Sequence, residues 1–152
     1  MKRLRSLPRD QWPDHPHWPT QTLLLGSHRD FRFISRRLVV AARAGEELDW
    51  IHFMIPRWIG AMRSHEAYEE RKLYPYLVRR WSLSFDRAEA GHRQLHDRGR
   101  AVRQALATME SAGEPSDAAP ALADALEVHD VVLCEHLDHE EDLVIPALLE
   151  LS

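Results

Sequence analysis

Two stretches of the sequence carry one chemical pattern. His65-Glu66-Ala67-Tyr68-Glu69-Glu70 is followed after four residues by Pro75, and His136-Leu137-Asp138-His139-Glu140-Glu141 after four residues by Pro146. On a helix each residue advances about 100°, so a histidine and a glutamate four apart differ by only about 40° and project to one side. Each copy therefore offers an imidazole nitrogen and a carboxylate oxygen together, a donor set that suits iron or manganese better than calcium or magnesium. On a straight helix Glu141 is turned about 140° from His136, so the spacing favours Glu140, and Glu141 qualifies only through a local bulge.

These pairs need helices to carry them, and the apolar pattern supplies four. A first helix is expected from Thr20 to near Gly45, with Leu24, Leu25, His28, Phe31, Ser35, Leu38 and Val39 at three- and four-residue steps. A second begins between Glu46 and Asp49, passes Ile51, Ile55, Trp58, Met62 and His65, bends at Pro56 and ends near Arg80. A third, capped by Ser84, carries Ala88, His92, Leu95, His96, Val102 and Leu106 on one face and stops near Gly113. A fourth carries Leu122, Leu126, His129, Leu133, His136, Glu140 and Leu143. With short loops and no convincing strand, this is an all-α, antiparallel up-down-up-down four-helix bundle over residues 20–152. Residues 1–19, rich in proline, read as an extended N-terminal arm without helix or strand.

In such a bundle the second and fourth helices are diagonal, so the two His/Glu pairs face each other and the other helices add walls. Each of those has histidine on its apolar stripe, His28 on the first and His92 and His96 on the third. Two bridging carboxylates fill about four of roughly twelve positions on two octahedral metals, five histidines about five, and a bridging oxygen about two. About one position stays open for a small ligand.

These residues resemble the hemerythrins and the wider hemerythrin-like HHE cation-binding domains, over about residues 20 to 150. The resemblance implies a four-helix bundle holding two iron ions joined by an oxo or hydroxo bridge, with His28, His65, Glu69, His92 and His136 as ligands. Manganese or zinc are substitutes. His96 fits the His-x-x-x-His pair of true hemerythrins. Where those proteins place an aspartate five residues after the last histidine, this chain has Glu141; Glu140 is the choice in the HHE style. The implied function is binding of dioxygen, peroxide or nitric oxide for sensing, carriage or detoxification. The alternatives are an oxidoreductase or peroxidase, with Tyr68 or His129 as proton donor, and a metal- or redox-responsive regulatory module whose protein partner meets the arm.

Other residues have plainer readings. Glu66 and Glu70 are expected on solvated helix faces, and His129 in the core or just behind the ligands. His15, His17, His52 and His139 are expected to be exposed, and Trp50, Trp58, Trp81 and Cys134 to pack, with Trp58 placed to line a ligand channel. Apolar residues are 44% and charged residues 29% of the 152, the balance of a globular chain, and no apolar run reaches the roughly 18 residues of a membrane span. Cys134 is the sole cysteine, which excludes an internal disulfide and a thiolate zinc site. The net charge of −4, with basic residues dispersed, argues against nucleic acid as a partner, and the N-terminus lacks a secretory pattern, so a cytoplasmic chain is expected.

Overall fold

The computed structural model describes residues 2–18 and 22–151, and its long elements are all helical. Helix α1 spans Thr22–Ala44; the expected start at Thr20 lies outside the described residues. It ends where Gly45 takes a φ of 67°, a left-handed turn that lets Gly45 and Glu46 donate to the carbonyls of Ala42 and Ala41. Helix α2, Leu48–Tyr68, runs through a π turn at Glu69–Leu73 into α3, Tyr74–Val78. Helix α4 spans Asp86–Ser111, with Phe85 rather than Ser84 at the cap position; the Ser84 hydroxyl accepts from the Asp86 N–H at 3.4 Å. Helix α5, Pro115–Leu151, begins on a proline, whose missing N–H would have had no intrahelical partner in the first turn.

The chain before α1 is not wholly extended. Arg9–Asp14 forms a 3-10 helix with Pro13 inside it, a short element that a proline-rich segment tolerates because it needs few backbone donors. Its Trp12 is buried against Ile145 and Leu149 of α5, and the indole N–H donates to the Leu7 carbonyl at 2.9 Å. No described helix is long and apolar enough to cross a membrane.

Helix α1 packs on α2 and α5, and α4 packs on the same two. The interior has two main apolar clusters, one holding Phe31, Met62, Leu95 and Leu133, the other Leu24, Tyr74, Ala88 and Val144. Each fully buried aliphatic side chain contributes roughly 1.5–3 kcal/mol. His28, His65, His92 and His136 each fall, along their own helices, between a member of one cluster and a member of the other. The polar layer is thus sandwiched between two dry ones, and that fixes its level in the bundle.

His129 sits in the larger dry region, 1% exposed, with its ring 4.8 Å from that of Trp58. Burial lowers its pKa to about 4, against an unfolded value near 6.5. Between those values the unfolded chain binds a proton that the folded chain refuses, so stability present above pH 6.5 is lost as pH falls towards 4. The loss reaches roughly 3 kcal/mol. Urea unfolding at pH 7 and pH 4.5 should show this decrement in the parent chain and a markedly smaller one in His129→Leu; equal decrements would mean that His129 is not held neutral.

Candidate metal centre

Four helical stretches deliver the inward groups. His28 comes from α1, His65 and Glu69 from α2 and the π turn, His92 from α4, and His136 and Glu140 from α5. Ligand atoms of His28, His65, Glu69 and Glu140 lie within 4.8 Å of one another, as do those of His92, His136 and Glu140. Glu140 belongs to both groups. Its Oε1 is 3.2 Å from His28 Nε2, and its Oε2 is 3.8 Å from His92 Nε2 and 3.6 Å from His136 Nε2. Glu69 spans them likewise, with Oε2 at 3.2 Å from His65 Nε2 and Oε1 at 3.4 Å from His92 Nε2. Two histidine pairs thus share two carboxylates.

The outer nitrogens of His28 and His92 are held by the second residue of each Glu-Glu pair. Glu141 Oε2 accepts from His28 Nδ1 at 3.1 Å, and Glu70 Oε1 accepts from His92 Nδ1 at 2.9 Å. In each pair, then, the first glutamate faces the centre and the second orients a histidine on another helix. A carboxylate on the outer nitrogen fixes the ring and leaves Nε2 to face inward. Glu141 is in turn met by Arg32 at 2.7 Å and by Arg9 at 3.4 Å, and against the upward push of burial His28 and Arg32 hold its pKa below the usual range. It is the partner of His28, outside both ligand groups. Glu70 is not merely a solvated residue, although it stays partly exposed.

The π turn explains an arrangement that a straight helix forbids. Tyr74 follows Glu69 by five residues, which on an α-helix places it about 140° away; the extra residue in the turn removes about 100° of that. The Tyr74 N–H bonds the Glu69 carbonyl, and its phenol donates to Glu140 Oε2. Tyr74 is 2% exposed, whereas Tyr68, the expected proton donor, is 59% exposed and faces away. Burial and the carboxylates Glu140 and Glu69 push the Tyr74 pKa up, so the phenol keeps its proton. His129, the other expected donor, lies among Trp58 and the apolar core.

His96 is not brought to either group. Its Nε2 meets Glu66 Oε2 at 2.5 Å, and its side chain is 37% exposed, while Glu66 is buried rather than solvated. His136 packs on Gly91 of α4 so closely that a Cβ there would lie 2.4 Å from His136 Nδ1, which requires glycine. Trp58 packs against His129 and does not line the space beside the centre. His52 is exposed and pairs with Glu110, but His15, His17 and His139 are half-buried, and His17 Nδ1 lies 3.0 Å from the Leu149 carbonyl oxygen.

The donor set fits a cation. Glu69 Oε2, Glu140 Oε1 and His92 Nε2 are buried without a hydrogen-bond partner, a costly state for polar atoms that coordination would relieve. Burial disfavours charge on His28 and His92, yet the facing carboxylates, Glu140 and Glu141 for His28 and Glu140, Glu69 and Glu70 for His92, outweigh it and raise their pKa values to about 9 and about 10. His136, dominated by burial, is lowered to about 4, and Glu140 is held well below the usual carboxylate range because the facing Glu69, His28 and His92 outweigh burial. Beside the centre lies a chamber of about 10 Å³, with His65, Glu69 and His136 on one side and Phe31, Met62, Leu95, Leu133 and Leu137 on the other. That is about the room of one water.

Residues 21–148 match the family model described as the hemerythrin HHE cation binding domain. Neither among curated proteins nor among solved structures does the chain have a significant match.

Sequence reasoning missed Glu70 and Tyr74. The doubled Glu-Glu held a signal for Glu70, since Glu141 shares its place in the repeat; nothing in the sequence announced the π turn that aims Tyr74. Removing either outer carboxylate, in Glu70→Ala or Glu141→Ala, should weaken metal affinity by about 10–100-fold while the helical circular dichroism stays unchanged. Competition against a chelator of known affinity measures this, and unaltered affinity in both variants would deny them the orienting role.

Proposed function

The chain belongs to the family of hemerythrin HHE cation-binding domains, and on that premise we propose that it holds two iron ions and binds dioxygen, peroxide or nitric oxide beside them. His28 and His65 would hold one ion, His92 and His136 the other, and Glu69 and Glu140 both. The observation that carries the reading is the pair of buried carboxylates set between the four histidines, with Glu69 Oε2 and Glu140 Oε1 left without a hydrogen-bond partner. The order of the apolar clusters supports an up-down-up-down bundle: it reverses from α1 to α2, again in α4 and again in α5.

Iron, when bound, supplies reversible one-electron chemistry and an open coordination position. The chain's own residues do the rest. Phe31, Met62, Leu95, Leu133 and Leu137 keep the chamber dry and admit only a ligand of a few atoms. Glu70 and Glu141 hold the imidazoles of His92 and His28, and the Tyr74 phenol, keeping its own proton, donates a hydrogen bond to Glu140 Oε2. Sensing, carriage and detoxification all draw on this arrangement.

Elemental analysis of protein made with iron supplied should give two irons per chain, with optical bands that bleach on reduction and return in air. Glu140→Ala removes the carboxylate common to both groups and should lose both irons rather than one. A folded parent chain without iron would overturn the reading.

One observation favours the oxidoreductase alternative, the buried phenol at the centre. A positioned proton donor contributes at least about a hundredfold to a rate. If the site turns over peroxide, Tyr74→Phe should lower the rate by about that factor at unchanged iron content; if it only binds oxygen reversibly, oxygen uptake by the variant should match the parent's.

A further inference from the structure

A second cavity lies between α2 and α4, outside the ligand groups. It is a crevice of about 230 Å³. Its walls are Ile59, Met62, Arg63 and Glu66 on α2 and His96, Gly99, Arg100 and Arg103 on α4, with Leu95 and, from α5, His129 also lining it. Both sets fall at steps of three, four and seven, so each helix turns one whole face to the crevice. We propose that this crevice binds a small organic carboxylate, its anionic end on the arginines at the rim and its apolar body against Ile59, Met62 and Leu95.

Charge is the first support. In a chain of net charge −4, three arginines, Arg63, Arg100 and Arg103, line one crevice. Arg100 has its own Asp97, but among the described residues no carboxylate lies within ion-pair distance of Arg63 or Arg103. The acidic side chain in the crevice, Glu66, is already engaged by His96 at 2.5 Å. Unpaired guanidiniums on two helices suit a carboxylate, which accepts two parallel N–H bonds from each fork.

Gly99 is the second, independent support. A glycine inside a helix costs about 1 kcal/mol relative to alanine, so its use needs a reason. Packing gives none, because a Cβ at Gly99 would meet only Ile59 Cδ1, at 4.0 Å. The space that a side chain there would fill is the crevice. Its volume is below the roughly 300–1,000 Å³ of sites for drug-sized ligands, which limits the occupant to a compact acid. Met62, Glu66 and Leu95 line both the crevice and the chamber beside the metal centre, so the occupant would lie one layer of side chains from it.

The test is calorimetric titration of the full chain with benzoate, and with benzamide as a neutral analogue of the same shape, before and after iron loading. Saturable one-to-one benzoate binding is expected, with benzamide at least about tenfold weaker. Arg63→Gln with Arg103→Gln should weaken benzoate by about tenfold or more, and Gly99→Leu should abolish binding, all at unchanged helix content and iron stoichiometry. Should Gly99→Leu fail to fold, the arginine variants, on exposed side chains, still decide. Equal binding of benzamide, indifference to both arginines, or no saturation by about 20 mM benzoate would overturn the proposal.

Discussion

Everything in this bundle is subordinate to placing ionisable groups where water cannot reach them. Glu69, Glu140 and Glu141 are 4% exposed or less, as are His28 and His92. Carboxylates in such surroundings are stable only if positive charge meets them, because the desolvation penalty of each is several kcal/mol. The protein supplies part of that charge through Arg32 and Arg9 at Glu141 and through imidazoles raised towards their protonated form. Glu69 Oε2 and Glu140 Oε1, without a hydrogen-bond partner, remain for a cation. The dry layers on either side follow from the same constraint, since they raise the strength of every interaction between them.

Much of this was legible in the residues. The three- and four-residue spacing that brings His28, His92 and His136 onto apolar stripes is a property of any α-helix, so period alone finds it. Glu140 over Glu141 follows from the same geometry, and α5 carries the two glutamates as a continuous helix would. The first copy of the motif does not behave that way. A π turn starts at Glu69, and no residue between Glu69 and Leu73 signals it, because a π turn arises where tertiary packing outweighs the small loss of regular hydrogen bonding. Tyr74 therefore reaches the centre from a position that helical periodicity assigns to another face. His96 is the converse case: its spacing from His92 is right for a ligand, yet buried Glu66, one residue after His65, offers it a closer partner.

The two copies of the motif also divide labour in a way that composition could not reveal. Each Glu-Glu sends one carboxylate inward and one to a histidine on another helix, so every ligand pair is braced by a residue from outside its own helix. Local secondary structure alone cannot then preserve the site. Loosening the packing of α5 on α1 would release His28 from Glu141, and a shift of α4 against the π turn would release His92 from Glu70. The site and the bundle are cooperative in the ordinary sense that neither has its geometry without the other.

The two halves of the centre nevertheless differ, and the difference lies behind the inward atoms rather than among them. With His96 turned to Glu66, each half has two histidines and a share of the same two glutamates. Behind His28 stands a buried carboxylate held by two arginines, one of them reaching in from the segment that buries Trp12. Behind His92 stands Glu70, whose side chain is 43% exposed and has no other polar partner among the described residues. The orienting contact is therefore stiffer and drier on the His28 side and looser on the His92 side. An ion held by His92 and His136 would have the more adaptable surroundings, because ligand rings steadied by a solvated carboxylate adjust at lower cost than rings locked in a buried network. The asymmetry between the two halves thus lies in the outer contacts, behind inward groups that are more nearly alike.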